Sequence, residues 1–94
     1  MSKQVFKPSR TLTFDTVQSN SNKLLELFGH DKEDLLHLDL SEVTKCDSAG
    51  LALLVEAKRL SKKYHKTLVI MKMPAAIAAL AEFCGVDEML RSNE

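Results

Sequence analysis

Cysteine, glycine and proline are scarce in this sequence, with two, three and two copies among 94 residues. Cys46 and Cys84 stand singly, without the CxxC or CxxH spacing of a disulfide framework or a zinc site. They are interpreted as reduced, partly buried thiols of a cytosolic protein. No linker, internal repeat or low-complexity segment divides the sequence. We therefore expect a single domain over residues 1–94 with frayed ends, one core and no separate catalytic domain.

An excess of charge of one sign is also lacking, because 13 basic residues balance 13 acidic residues. The molecule therefore has no overall positive electrostatic potential that would attract nucleic acid, and no nucleic-acid partner is expected. The longest apolar runs, at 51–55 and 75–81, are far shorter than the roughly 20 residues that span a bilayer. The charged N-terminus is not followed by the apolar region of a secretory signal. We expect any role at a membrane to be exercised from the cytoplasm through a partner, without direct insertion.

Apolar periodicity predicts three strands and three helices in alternation. The segment 35–40 has Leu36, Leu38 and Leu40 on one face and His37 and Asp39 on the other. The other predicted elements are a strand at 10–14, a helix capped within 19–22 and ending before Gly29, a helix from Asp47, a strand at 67–73 and a helix from Pro74 to Gly85. This β-α-β-α-β-α order implies an α/β fold with right-handed crossovers, and residues 86–94 are expected to be a frayed tail.

The helix from Asp47 shows two clear faces when its residues are projected at about 100° each. Its expected core face consists of Leu53, Leu54, Ala57 and Leu60, and its expected solvent face of Glu56, Arg59 and Lys63. Leu51 and Val55 lie on a third side, which carries Lys58 and Lys62 further along the helix. Since those lysines require water, we expect Leu51 and Val55 to form a small exposed apolar patch suited to a protein contact. The alternative is that this side bends into the core and both residues are buried.

The first turn of this helix combines an acid with very small residues, in the stretch Asp47-Ser48-Ala49-Gly50. Asp47 is placed to act as the N-cap. A phosphate on Ser48 would be favoured by the helix dipole but repelled by Asp47, so an unmodified serine is the simpler interpretation. Gly50 costs up to about 1 kcal/mol relative to alanine in a helix. Either the neighbouring sheet or a partner must therefore need access to its backbone.

The sequence gives little indication of catalysis or metal binding. His30, His37 and His65 lack metal-ligand spacing with the cysteines, and no GxxxxGK[ST] phosphate loop is present. Asp47 would raise the pKa of the neighbouring Cys46 thiol, which argues against a nucleophilic cysteine. No catalytic residue, metal or cofactor is therefore expected. The basic segment 58–66 is interpreted as a solvated helix end, with an acidic partner or anionic headgroups as the alternative.

The stretch LLHLDLSEVTKCDSAGLALLVEAKRLSKK, followed by TLVIMKMPAAIAALAEFCGVDEML, resembles the STAS domain family, which includes the anti-sigma-factor antagonists. The resemblance is close over residues 35–90 and looser before them. It implies a small α/β domain with a mixed β-sheet packed against helices. In antagonists controlled by phosphorylation the loop reads D-S-S-G or D-S-T-G, and a partner kinase modifies the second hydroxyl residue. Ala49 stands at that position here and carries no hydroxyl.

The motif D-S-A-G-L-A-L-L is more similar to the STAS subunit of the bacterial Mla phospholipid ABC transporter. That resemblance implies a non-enzymatic subunit at the inner face of the inner membrane, bound to the cytoplasmic ATPase and through it to a permease. It also implies that Ser48 is the contact hydroxyl, surrounded by Asp47, Ala49, Gly50 and Leu51, whereas Val55 is added from the helical projection. The alternative is an anti-sigma factor antagonist regulated by a partner kinase, with Ser48 as the remaining phosphorylation candidate. An isolated copy, deprived of its partner, could form a homodimer through the apolar patch.

Overall fold

The structure of the protein, a computed structural model, describes residues 4–29 and 34–92. His30, which was weighed as a metal ligand, lies outside the described residues. The elements of the described chain are, in order, β1 Gln4–Phe6, β2 Thr11–Leu12, α1 Val17–Gly29, β3 Leu35–Asp39, β4 Lys45–Cys46, α2 Ser48–Lys63, β5 Thr67–Met71, α3 Ala75–Phe83 and α4 Asp87–Arg91.

The strand β3 is the centre of a three-stranded sheet with the order β1-β3-β5. His37 of β3 is paired with Val5 on one side and Val69 on the other, and both pairings are parallel. The strands β2 and β4 form a second, two-stranded parallel pair. The helices α1 and α2 supply the crossovers that parallel neighbours require. The predicted α/β fold class is confirmed, but the described strands pair only in parallel, so the sheets are not mixed as predicted.

The three leucines of segment 35–40 lie on the core side of the sheet, as predicted. Leu36, Leu38 and Leu40 are 2%, 1% and 0% exposed. Burying a leucine side chain fully contributes about 1.5–3 kcal/mol relative to leaving it in water. The alternation therefore determines which face of the sheet packs against the core. The same core includes buried side chains from both ends of the chain and from all four helices: Leu12, Leu24, Phe28, Leu54, Ala57, Leu68, Ile77, Ala81 and Leu90.

Four strands differ from the prediction by more than one residue or were not predicted at all, and one of the unpredicted strands is the two-residue β4. The strand expected at 10–14 is reduced to β2, because the chain turns back after it, with the N–H of Thr16 donating to the carbonyl oxygen of Thr13 at 2.9 Å. The strand expected at 67–73 ends at Met71, where Lys72 adopts a positive φ of 57°. The strand β1 was not predicted, since it is only three residues long and its pattern is too short to show a period.

The helix α1 begins at Val17, so the predicted capping segment 19–22 lies inside it. Asn20 is buried, and its amide joins the helix to the segment before β2. Its Nδ2 donates to the carbonyl oxygen of Thr16 at 3.0 Å and to the hydroxyl of Ser9 at 3.1 Å, while its Oδ1 accepts the N–H of Ser9 at 3.2 Å. These tertiary contacts, rather than capping, occupy the polar side chain that had suggested a helix start.

The segment after Gly85 forms the helix α4, where a frayed tail was expected. Gly85 has a φ of 76°, a conformation that glycine adopts at low cost, and Val86 then donates its N–H to the carbonyl oxygen of Ala81 at 2.9 Å. Asp87 and Glu88 in the first turn complement the dipole of the new helix. Leu90 enters the core at 1% exposure and fixes α4 against the domain.

Candidate partner-binding surface

Asp47 is the N-cap of α2, as predicted. Its Oδ1 accepts the backbone N–H of Gly50 at 3.0 Å, and its Oδ2 accepts the N–H of Phe14 at 3.0 Å. These two N–H groups hold the pKa of the carboxyl below its ordinary value of 3.8. The second bond was not foreseen, because Phe14 is 33 residues away along the chain. Asp47 therefore joins the loop after β2 to the start of α2.

We expect Asp47→Asn to destabilise the fold, and the difference from the unmodified chain to shrink as the pH falls from about 6 to about 2. A carboxylate with a lowered pKa contributes stability that is present above the unfolded-state pKa and lost as the pH falls through the folded-state pKa. The N–H groups of Gly50 and Phe14 bind different oxygens of the carboxylate, and asparagine would present an NH2 group, itself a donor, to one of them. Urea unfolding at several pH values measures the effect.

Some acid sensitivity should remain in this variant, because the N–H of Ser41 also lowers the pKa of Asp39. A difference between the two proteins that stays constant with pH would contradict the role given to the Asp47 carboxylate.

Gly50 is packed directly against β2. An added Cβ would lie 2.0 Å from the carbonyl oxygen of Leu12 and 2.9 Å from Sγ of Cys46. No side chain fits at those distances, so the neighbouring strand, and not a visiting partner, accounts for the glycine. Gly50 is buried and can support a partner contact only from beneath the surface.

The third side of α2 faces the protein from Leu51 to Lys58, contrary to the expectation that it faces water, and is exposed only at Lys62. Leu51 is 4% exposed and Lys58 is 3% exposed, while Val55 is half-buried. Lys58 tolerates this position because its ammonium donates to the carbonyl oxygens of Leu68, at 2.7 Å, and of Ser92. The alternative in which this side bends into the core is therefore correct for Leu51. The predicted core face is confirmed for Leu53, Leu54 and Ala57, whereas Leu60 is half-buried.

The accessible part of the α2 start is a surface of small residues with a groove on each side. Ser48 and Ala52 are exposed on successive turns, and Ala49 is half-buried between them. We call this the α2 surface and define it as Ser48, Ala49, Ala52 and Val55. One groove, of about 390 Å³, runs between α2 and the α3–α4 connection and is lined by Ser48, Leu51, Ala52, Val55, Glu56, Arg59, Cys84 and Val86. The other, of about 340 Å³, lies between α1 and α2 and is lined by Val17, Gln18, Ser21, Ala49, Ala52, Leu53 and Glu56.

Two exposed phenylalanines belong to segments that adjoin the α2 surface. Phe14 is 79% exposed and is tied through its N–H to Asp47, directly before Ser48. Phe83 is 90% exposed and precedes Cys84, which lines the groove next to Ser48. Both were missed in the sequence, where Phe14 was assigned to a strand and Phe83 falls outside the apolar spacing of α3. Neither phenylalanine lines either groove itself, but each exposes a large apolar side chain close in the chain to a residue of the α2 surface or of its groove.

A family model described as "Mlab, STAS domain" matches residues 9–91. The chain belongs to the STAS domain family. A solved structure of similar fold is that of a sulfate transporter family protein from Wolinella succinogenes, with 14% sequence identity, coverage of 94% of this chain and 70% of that chain, and a TM-score of 0.75. The comparison with curated proteins finds no match. Membership of the family supports a regulatory, protein-binding role for this STAS domain.

The two thiols of this STAS domain differ in their surroundings. Cys46 is half-buried, and burial, followed by the charge of Asp47, raises the pKa of its thiol. The predicted direction is thus confirmed, and the thiol is a poor nucleophile at neutral pH. Cys84 is exposed, although it was expected to be partly buried.

No metal site or membrane span is found within residues 4–29 and 34–92. His, Cys, Asp and Glu side chains in these ranges do not gather in groups that could hold a metal ion. None of the helices there has both the length and the apolar character needed to cross a bilayer. The Nδ1 of His37 on β3 is buried and has no hydrogen-bond partner among the described residues.

Proposed function

We propose that this STAS domain is a non-enzymatic regulatory and assembly subunit that binds the cytoplasmic ATPase of an Mla-type phospholipid-transport ABC transporter. The observation that carries the proposal is the α2 surface, an accessible set of small residues around the Ser48 hydroxyl. Asp47 and Gly50 beside it are committed to internal contacts, so they shape this surface without covering it. The family description, which names an Mlab STAS domain, supports the choice of partner.

The composition of the surface suits contact with a folded protein. Small side chains at Ala49 and Ala52 allow a partner helix to approach closely, and the flanking grooves can accept its larger side chains. Phe14 and Phe83 would act as anchors, since binding energy concentrates in a few aromatic contacts. Ser48 at the centre would bind a polar group of the partner that would otherwise remain unsatisfied.

The cellular setting follows from the partner. The domain would lie in the cytoplasm at the inner face of the inner membrane, held there by the ATPase and its permease, without inserting into lipid. No cofactor or nucleic acid takes part. A homodimer of the isolated chain would cover the same α2 surface and compete with the ATPase for it.

The test is co-purification of the tagged full chain from membranes of the native cells, with mass spectrometry of the bound proteins. We expect the ATPase and the permease to be recovered together. Ser48→Arg should reduce the recovered ATPase by at least about tenfold, because a long charged side chain would stand at the centre of the contact. Lys63→Gln is the matched control, since Lys63 is exposed at the far end of α2 and should leave recovery unchanged.

Equal recovery of the ATPase with Ser48→Arg would show that the α2 surface is not the contact. Recovery of an anti-sigma factor kinase instead, with phosphate transferred to Ser48, would replace the transporter assignment by the anti-sigma antagonist alternative.

A further inference from the structure

Lys58 is the one basic residue within 4–29 and 34–92 whose side chain is buried, at 3% exposure. Its ammonium donates to the carbonyl oxygens of Leu68 and Ser92, and both acceptors are neutral. A lysine ammonium has three N–H donors, so these two acceptors leave one donor without a partner and the charge without a counter-charge among the described residues. A buried charge without a counter-charge is costly, and proteins normally pair it.

A cavity of about 250 Å³ opens beside this ammonium, between the C-terminal half of α2 and the end of α4. Its walls are Lys58, Arg59, Lys62, Met89 and Ser92. Arg59 is engaged with Glu56 at 2.6 Å. Lys58 and Lys62 take part in none of the ion pairs that join described residues. The cavity is therefore lined by two lysines that no carboxylate within residues 4–29 and 34–92 pairs.

The charge of Lys62 acts on Lys58 in the direction opposite to the effect of a bound anion. Burial first, and then the charge of Lys62, lowers the pKa of Lys58. A negative ligand between them would relieve the repulsion and satisfy the unused donor. The cavity is smaller than the roughly 300–1,000 Å³ of most small-molecule sites, so it suits one compact anionic group and not a whole nucleotide.

We propose that this cavity, which we call the basic cavity, binds a phosphate-type oxyanion through Lys58 and Lys62. The ligand is either free phosphate or the phosphate of a phospholipid headgroup, two sources with the same charge and geometry. Lys62 is exposed and supplies the mobile contact, whereas Lys58 is held in place by the two carbonyl groups. This site does not depend on the identity of the protein partner at the α2 surface.

The first arm of the test titrates the ¹⁵N-labelled full chain with sodium phosphate at constant ionic strength and follows its amide signals by NMR. We expect saturating shifts at Lys58, Lys62 and Ser92 that sodium chloride does not produce. Lys62→Gln should weaken phosphate binding by about tenfold, the effect of losing one charged hydrogen bond. Lys63→Gln, with its exposed side chain outside the cavity, should bind as the unmodified chain does.

The second arm measures sedimentation with phosphatidylcholine vesicles that contain or lack phosphatidylglycerol. Binding only to the anionic vesicles, lost in Lys62→Gln and kept in Lys63→Gln, would assign the site to a lipid headgroup even if free phosphate does not saturate. The proposal is overturned if neither probe binds saturably, or if the two lysine variants respond alike to both probes.

Discussion

Gly50→Ala is expected to lower the free energy of unfolding by about 3 kcal/mol or more, out of the roughly 5–14 kcal/mol that a chain of this length has. The added Cβ would lie 2.0 Å from the carbonyl oxygen of Leu12 and 2.7 Å from its carbonyl carbon. Both are backbone atoms, so no rotation of a side chain can relieve the overlap. The same oxygen accepts the N–H of Asp47 at 3.1 Å, and a retreat of β2 would stretch that bond as well.

Gly29→Ala is the matched control for this substitution. Gly29 ends α1, and a Cβ there meets no atom within 4 Å. Its backbone conformation is open to any residue, so the change should be neutral or stabilising by up to about 1 kcal/mol. Urea unfolding followed by circular dichroism measures both variants. If Gly50→Ala proves as stable as Gly29→Ala, the close approach of β2 to α2 is wrong.

The parts of the fold that could be predicted depend on residues close together in the chain. Leu36, Leu38 and Leu40 alternate within one strand, and a strand with one buried face shows that alternation directly. Asp47 caps α2 through the N–H of Gly50, three residues away. The family resemblance rested on the same local motif and is confirmed by the match over residues 9–91.

The wrong predictions concern side chains whose burial and hydrogen bonds depend on residues far away in the sequence. Lys58 was assigned to water because lysine is rarely buried, but the carbonyl oxygens that receive its ammonium belong to Leu68 and to Ser92, 34 residues on. Asn20 suggested a cap because its partner Ser9, 11 residues earlier, was not visible as a neighbour. Helical spacing alone cannot show such partners.

The burial that helical spacing did not predict also decides which residues of α2 can be used to test the proposed interface. Leu51 was expected to be exposed in a patch suited to a protein contact, with burial in the core as the alternative. Its side chain is 4% exposed and belongs to the core, whereas the next residue, Ala52, is exposed. Two neighbouring positions on one helix therefore separate folding from binding.

Leu51→Asp is expected to unfold the domain, and Ala52→Asp to leave it folded but with much weaker binding to the ATPase. The first substitution loses about 1.5–3 kcal/mol of apolar burial and also places a carboxylate in the core, at a cost of several kcal/mol, which together match most of the available stability. The second costs only about 0.7 kcal/mol of helix propensity, because its side chain stays in water in the free domain.

The effect of Ala52→Asp should appear only on binding, where an unpaired carboxylate would be buried against the partner. A loss of affinity of about 100-fold or more corresponds to roughly 3 kcal/mol, within the range for a desolvated charge at an interface. Circular dichroism and urea unfolding report on folding, and titration against the purified ATPase reports on affinity.

If Ala52→Asp is folded and binds the ATPase normally, the α2 surface is not the contact. If Leu51→Asp remains as stable as Ala52→Asp, Leu51 is not in the core. Since the two residues are adjacent on one helix, a general effect of negative charge on α2 cannot explain opposite results.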